Sequence, residues 1–179
     1  MSAVLLAAVA SRALLQDAVG EPAAGLVFAL LLLGVAVVAR PEVGSAGPRA
    51  ISAGIAVGVA LLVPGLWLKF AGLPPRAWFV EPQALLLYSG ALLLIAPAEE
   101  LFLRGVLQPA FRSALGPGPA IVVTALLFAA IHVPAYGPAA VPLDLGVGIV
   151  LGWLRERTGS TASCALAHLV ADLGAWWLP

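Results

Sequence analysis

Lysine is almost missing from this sequence: Lys69 stands alone beside eight arginines. Charge of either sign is scarce, with 9 basic and 9 acidic residues making up 10% of 179 positions, where a soluble domain carries about 25%. The formal net charge is zero, so nothing points to nucleic acid or to an acidic partner. A single cysteine, Cys164, excludes an intramolecular disulfide and leaves no thiolate cluster for a metal. It lies in an apolar run of small residues and reads as a thiol packed at a helix interface. What is plentiful is apolar: 62% of the chain is hydrophobic, with a mean hydropathy of +1.07. The expected fold is all-α, a polytopic bundle of transmembrane helices.

About 20 apolar residues cross the hydrocarbon core, and clusters of Gly and Pro mark where spans stop. Six runs read as spans: 23–39, 50–71, 82–115, 120–133, 139–154 and 161–178. The third continues through Arg104 because nothing breaks it before "GPGP" at 116–119. The N-terminal "MSAVLLAAVASRALLQDAVGEP" lacks a basic leader, and Arg12, Gln16 and Asp17 follow its apolar stretch. It reads as a retained short span or an interfacial amphipathic helix rather than a cleaved signal. Six to seven spans are therefore expected in one membrane domain, with N-terminal helices over 1–81 and the functional bundle over 82–179. No repeat, linker or soluble domain is visible. Arg40, Arg49, Arg112, Arg155 and Arg157 fall in the loops of one side, and Lys69 and Arg76, with Arg12, on the other. The positive-inside bias puts the first set in the cytoplasm and the C-terminus outward, with Trp176 and Trp177 as interfacial anchors.

Few ionisable groups remain at membrane depth: Glu99, Glu100, Arg104, His132, His168 and Asp172, with Asp144 near a helix start. A charge at the bilayer centre costs roughly 2.5–3.5 kcal/mol on insertion scales, and such residues face a bundle interior or a watery cavity. Glu100 and Arg104 are four apart and share a helix face. Glu99 is rotated about 100° from Glu100, so the two cannot aim equally at Arg104. One division of labour follows, in which Arg104 holds Glu100 ionised while Glu99 projects into the cavity as the base; the reverse assignment stays open. Phe128 and His132 are also four apart, as are His168 and Asp172, so that Asp172 could orient or charge-stabilise the imidazole. Two carboxylates and two imidazoles in one pocket suit water activation and proton transfer. A structural clamp for Arg104 and helix–helix hydrogen bonds for the histidines are the plainer readings. Asp144 follows Pro142 at a span start, reads as a helix cap, and stands outside the candidate set.

"EELFLRG" (99–105), "FAAIH" (128–132) and "HLVAD" (168–172) resemble, in order, the EExxxR, FxxxH and third motifs of the CPBP family. This is the CAAX-protease and bacteriocin-processing group, also called Abi, of glutamic-type intramembrane proteases. "RERTGSTASCALAHLVAD" also resembles that family's charged loop, Gly-Ser turn and His-bearing helix. The resemblance covers about residues 82–178. It implies an all-helical membrane endopeptidase whose members clip prenylated C-termini, bacteriocin leaders or sorting tails. Carried over, Glu99 is the leading general base with Glu100 beside it, and His132 and His168 stabilise the oxyanion or pass protons. Arg104 and Phe128 support them. Asp172 stands where the family more often has Asn; an ionised Asp cannot donate to an oxyanion, so its expected part is to orient His168 or to be protonated.

The expected activity is hydrolysis of a peptide bond in a membrane-associated or lipid-anchored protein, or in a C-terminal tail, by glutamate-activated water. Two histidines and a glutamate also suffice for a catalytic zinc, held then by His132, His168 and Glu99, although no HExxH is present. The reading taken is that no cofactor is required and zinc is possible. The expected partners are a membrane-embedded peptide or protein substrate and the lipid bilayer, with no nucleic acid and the oligomeric state open. The expected location is a bacterial inner (plasma) membrane. The alternatives are a non-catalytic immunity or scaffold protein that kept the pocket, and a proton-coupled transporter. Against a transporter, the chain shows no duplicated half and no paired broken helices.

Overall fold

The computed structural model describes residues 9–15, 18, 20–70 and 82–177, leaving aside the side chains at 21, 65, 67–70, 82–85, 176 and 177. Lys69, Arg76, Trp176 and Trp177, which bear on the expected topology, therefore lie outside the described side chains. Among the described residues there is no strand. The order is α1 (9–15), α2 (Glu21–Ala39), α3 (Pro48–Phe70), α4 (Pro82–Phe102), a π-helical turn (Leu103–Leu107) and α5 (Gln108–Leu115). Then come α6 (Pro117–Tyr136), a 3-10 turn (Pro138–Ala140), α7 (Val141–Thr158) and α8 (Thr161–Trp177). Proline opens α2, α6 and α7 at the first or second position, where its missing N–H would have had no intrahelical partner.

Four stretches are long and apolar enough to cross a membrane: Pro22–Ala39, Leu86–Leu115, Pro117–Tyr136 and Pro138–Thr158. Pro48–Pro64 and Thr161–Ala175 are apolar but shorter. The chain is an all-helical integral membrane protein.

The uninterrupted run 82–115 contains a register change the sequence reading did not include. Gln108 N–H bonds the Leu103 carbonyl, five residues back, across the π turn. Pro109 has no N–H, so the Gly105 carbonyl lacks its α-helical partner four residues on. That carbonyl accepts from Glu42 N–H at 2.8 Å instead, and the Arg104 carbonyl accepts from Arg155 Nε at 3.2 Å. The turn thus ties α4 to the loop after α2 and to α7. The same loop is held at the start of α8, where Thr161 N–H bonds the Val43 carbonyl at 2.9 Å and Thr161 Oγ1 donates to the Glu42 carbonyl at 2.9 Å.

Two boundaries differ from expectation. The run 133–138 reads as a break, yet α6 continues through Pro134 to Tyr136 and ends at Gly137, φ 75°. Residues 155–158 of the expected charged loop 155–160 are instead the last turn of α7, which is capped by Gly159 in the left-handed region, φ 64°. Arg155 is accordingly a buried helix residue bonded to two backbone carbonyls, not an exposed loop charge.

The bundle pairs α3 with α8, α6 with α7, α2 with α4, and α4 with α8. Its core runs from Phe28 and Leu32 through Ile95, Phe102 and Phe128 to Leu151 and Leu154. Cys164 is buried in it and donates to the Leu151 carbonyl at 3.3 Å. The α3–α8 crossing uses the small-residue packing of membrane helices, which lets backbones approach closely. A Cβ on Gly54 would lie 2.6 Å from the Ser163 carbonyl oxygen, and one on Gly58 2.7 Å from that of Ala167, the residue before His168. Gly58→Val should therefore lower the melting temperature in detergent, an overpacking cost of about 1–3 kcal/mol. Gly34→Val, where an added Cβ meets nothing within 4 Å, should leave it unchanged; equal shifts for the two would count against this crossing.

Candidate active site

Glu99 and Glu100 lie near the middle of the 30-residue run Leu86–Leu115, about 20 Å along its axis from Leu86. Pro97, inside α4, withdraws the N–H that would have bonded the Leu93 carbonyl just before them. Both carboxylates are buried, at 1% and 0% exposure.

Glu100 is engaged on one oxygen from two sides. Arg104 Nη1 donates to Glu100 Oε1 at 3.0 Å, and His168 Nδ1 meets the same oxygen at 3.1 Å. Arg104, fully buried, also donates from Nη2 to the Gly148 carbonyl at 3.1 Å and stacks its guanidinium over the Phe128 ring at 5.0 Å. One turn on, Gln108 Nε2 donates to the Gly152 carbonyl at 3.0 Å. Phe128 is the plate between these groups, with its ring centroid 4.4 Å from that of His132 and 5.2 Å from that of His168.

Glu99 faces elsewhere. Its Oε2 lies 3.7 Å from His132 Nε2 and 4.0 Å from His168 Nε2, and its Oε1 lies 3.5 Å from Arg12 Nη1. Neither oxygen accepts a hydrogen bond among the described residues. His132 Nδ1 lies 2.7 Å from the Phe128 carbonyl; a carbonyl only accepts, so Nδ1 carries the proton and Nε2 is the nitrogen turned to Glu99. Both imidazoles are thus held through Nδ1 and present Nε2 to one carboxylate oxygen. Asp172, 34% exposed, meets His168 at Nε2, 3.4 Å from Oδ2. The bond at Nδ1 that fixes the ring belongs to Glu100 rather than to Asp172.

A small cleft opens onto these groups. Glu99, His132 and Asp172 line it with Arg12, Tyr88 and Tyr136, and Leu92 and Ile95 supply apolar wall. The structure therefore brings together all seven residues singled out from the sequence: Glu99, Glu100, Arg104, Phe128, His132, His168 and Asp172.

Two further charges belong to the site's surroundings. Arg12, grouped from the sequence with the charges of the outer loops, is instead 2% exposed against Glu99. Asp144 is not a helix cap: Ala140 holds the N-cap position of α7, with no side-chain cap bond. Asp144 Oδ2 is buried with no hydrogen-bond partner among the described residues. The signal for both was a lone charge inside an apolar stretch.

Glu99, His132 and His168 each offer one ligand atom, all within 4.8 Å of one another. Such a His2Glu set suits zinc, and imidazoles anchored through the other nitrogen are how metal-binding histidines are held. The donor set fits the ion.

A family model described as Type II CAAX prenyl endopeptidase Rce1-like matches residues 81–174, just over half of the chain, in agreement with the resemblance carried by the three motifs. No curated protein and no solved structure matches the chain. The matched segment runs from α4 into α8 and holds every residue of the site except Arg12. The chain therefore belongs to the Rce1-like family of type II CAAX prenyl endopeptidases, a family of intramembrane proteases.

Proposed function

We propose that this protein hydrolyses a peptide bond in a membrane-associated substrate, a lipid-anchored protein or a C-terminal tail, with Glu99 as the base that takes a proton from the attacking water. The observation that carries this is the placing of Glu99 Oε2 between His132 Nε2 and His168 Nε2, at 3.7 and 4.0 Å. Glu99, whose two oxygens accept no hydrogen bond among the described residues, keeps its lone pairs for a water proton, whereas one oxygen of Glu100 is already engaged by Arg104 and His168. An imidazole that gains a proton at Nε2 then donates to the developing oxyanion or to the leaving amine, the work of a general acid. The Phe128 carbonyl and Glu100 keep the two rings turned for that transfer. Asp172, beside His168 Nε2, offsets the positive charge of an imidazolium. Tyr88, Leu92 and Ile95 line one side of the cleft beside Glu99.

Six to seven spans in a plasma membrane are the topology this reading uses. Four helices meet the length of a span, and α3 and α8 are shorter apolar helices that bring the number to six. Zinc, held by Glu99, His132 and His168, would supply Lewis-acid activation of the water; the glutamate-based route uses the same residues without it. Strong chelation is expected to leave hydrolysis intact, and loss with recovery on added Zn²⁺ would replace the metal-free route. The reading as a whole is tested by mapping protein N- and C-termini in cells carrying the wild type or Glu99→Gln. New termini in membrane proteins, present only with the wild type, are expected. Identical maps would favour a non-catalytic role.

A further inference from the structure

The family match begins at residue 81, yet one buried charge of the site comes from far outside it. α1 carries Arg12 to Glu99: the side chain is 2% exposed, and Nη1 lies 3.5 Å from Oε1. Its guanidinium lies over two rings, Phe28 of α2 at 5.2 Å and Tyr136 of α6 at 6.0 Å. The rings and the carboxylate hold it from three elements.

The carboxylate of Glu99 is two-sided. Oε1 faces the guanidinium, and Oε2 faces the two Nε2 atoms at 3.7 and 4.0 Å. The terminal torsion of a glutamate is broad and roughly two-fold, and neither oxygen is fixed by a hydrogen bond among the described residues. A fixed cation on one side therefore sets the plane of the carboxylate and keeps its far oxygen between the imidazoles. Glu100 already has its own cation in Arg104.

We propose that Arg12 is the positioning residue of Glu99, so that α1 completes a catalytic site whose other parts all lie within the family-matched segment. The inference rests on the reading of Glu99 as the base. Arg12 acts through Glu99, holding Oε1 so that Oε2 meets the water. Lysine would keep the charge but not the broad guanidinium that lies over Phe28 and Tyr136, so it substitutes in part.

The test uses the full-length protein in detergent micelles with a fluorogenic prenylated CAAX peptide as probe. Arg12→Gln is expected to lower kcat roughly 10–100-fold, the range seen when an outer partner of a site ligand is removed, with KM little changed. Arg12→Lys should recover part of that loss. Melting temperatures of Arg12→Gln, Glu99→Gln and the double variant give a readout that needs no turnover, and their shifts should be non-additive, as for residues in contact. Additive shifts would overturn the pairing. A folded Arg12→Gln protein at full kcat would overturn the positioning role, as would a rise in KM alone, which would make Arg12 a binder of substrate anion. The two failures read differently. A Glu99→Gln protein as fast as the wild type removes Glu99 as the base, whereas an inactive Glu99→Gln beside a full-speed Arg12→Gln removes Arg12 alone.

Discussion

Glu99→Gln should bring hydrolysis of a prenylated CAAX peptide down to background, a loss of at least about 10²–10⁴-fold, the usual contribution of a positioned acid or base. The substitution is mild in shape. Glutamine keeps the side-chain length and leaves an amide oxygen facing the Arg12 guanidinium, so the protein should insert and purify as the wild type does. What it removes is a site that can take a proton at the point between His132 Nε2 and His168 Nε2. His132→Ala should lose activity for the complementary reason, leaving Glu99 with one imidazole. Glu42→Gln is the control: that side chain is 71% exposed, and its residue's contacts to Arg155, Thr161 and Gly105 are also made through the backbone. Initial rates on the three variants decide the matter. A Glu99→Gln protein that turns over at the wild-type rate would end the assignment.

The largest loss of stability is expected at the Glu100–Arg104 pair. Both side chains are at 0% exposure, joined at 3.0 Å, in a part of the bundle closed to bulk solvent. Arg104→Met would leave the Glu100 carboxylate with His168 alone and would empty the guanidinium's place over Phe128. Breaking one partner of a buried pair costs about 3–5 kcal/mol, a large share of the stability of a domain this size. Arg104→Lys should fall between, since one ammonium does not reproduce the fork that reaches both Glu100 and the Gly148 carbonyl. Pairing Arg104→Met with Glu100→Gln should recover much of the stability, because neither charge is then left alone, but not the activity. Unfolding in mixed micelles measures all four proteins. If the double variant is no better than Arg104→Met alone, the loss lies in packing on Phe128 and not in the orphaned carboxylate.

Much of this site was legible because membrane depth makes polar residues conspicuous. Three four-residue spacings, Glu100 to Arg104, Phe128 to His132 and His168 to Asp172, each put two groups on one helix face, and the structure joins the faces in one pocket. The limits of the reading are as physical as its successes. A helical spacing says which residues share a face but not which atom meets which, so the Nδ1 partner of His168 came out as Glu100 on α4 and not its own-helix neighbour Asp172. Arg12 was counted with the loop charges because a short apolar run gives no hint of which helices will cover it. Pro109 was the visible sign of the π turn, yet a proline in a long apolar run is compatible with a simple helix as well. Asp144 looked like a cap because it stands beside Pro142 at a span start; the burial of its Oδ2 depends on helix packing, which periodicity does not contain.

The part of α7 in this arrangement is played largely by its main chain. Arg104 and Gln108 are received by the carbonyls of Gly148 and Gly152, groups that every residue type possesses. A systematic replacement of α7 side chains by alanine would pass over these two carbonyl contacts and would register at Arg155 and Glu156, whose side chains bond the Arg104 carbonyl and Gln108 Nε2. It would also register at Gly148, where an added carbon comes within 2.8 Å of the Ala125 Cα. A helix can thus serve a catalytic centre through main-chain groups whose contribution a side-chain scan does not report.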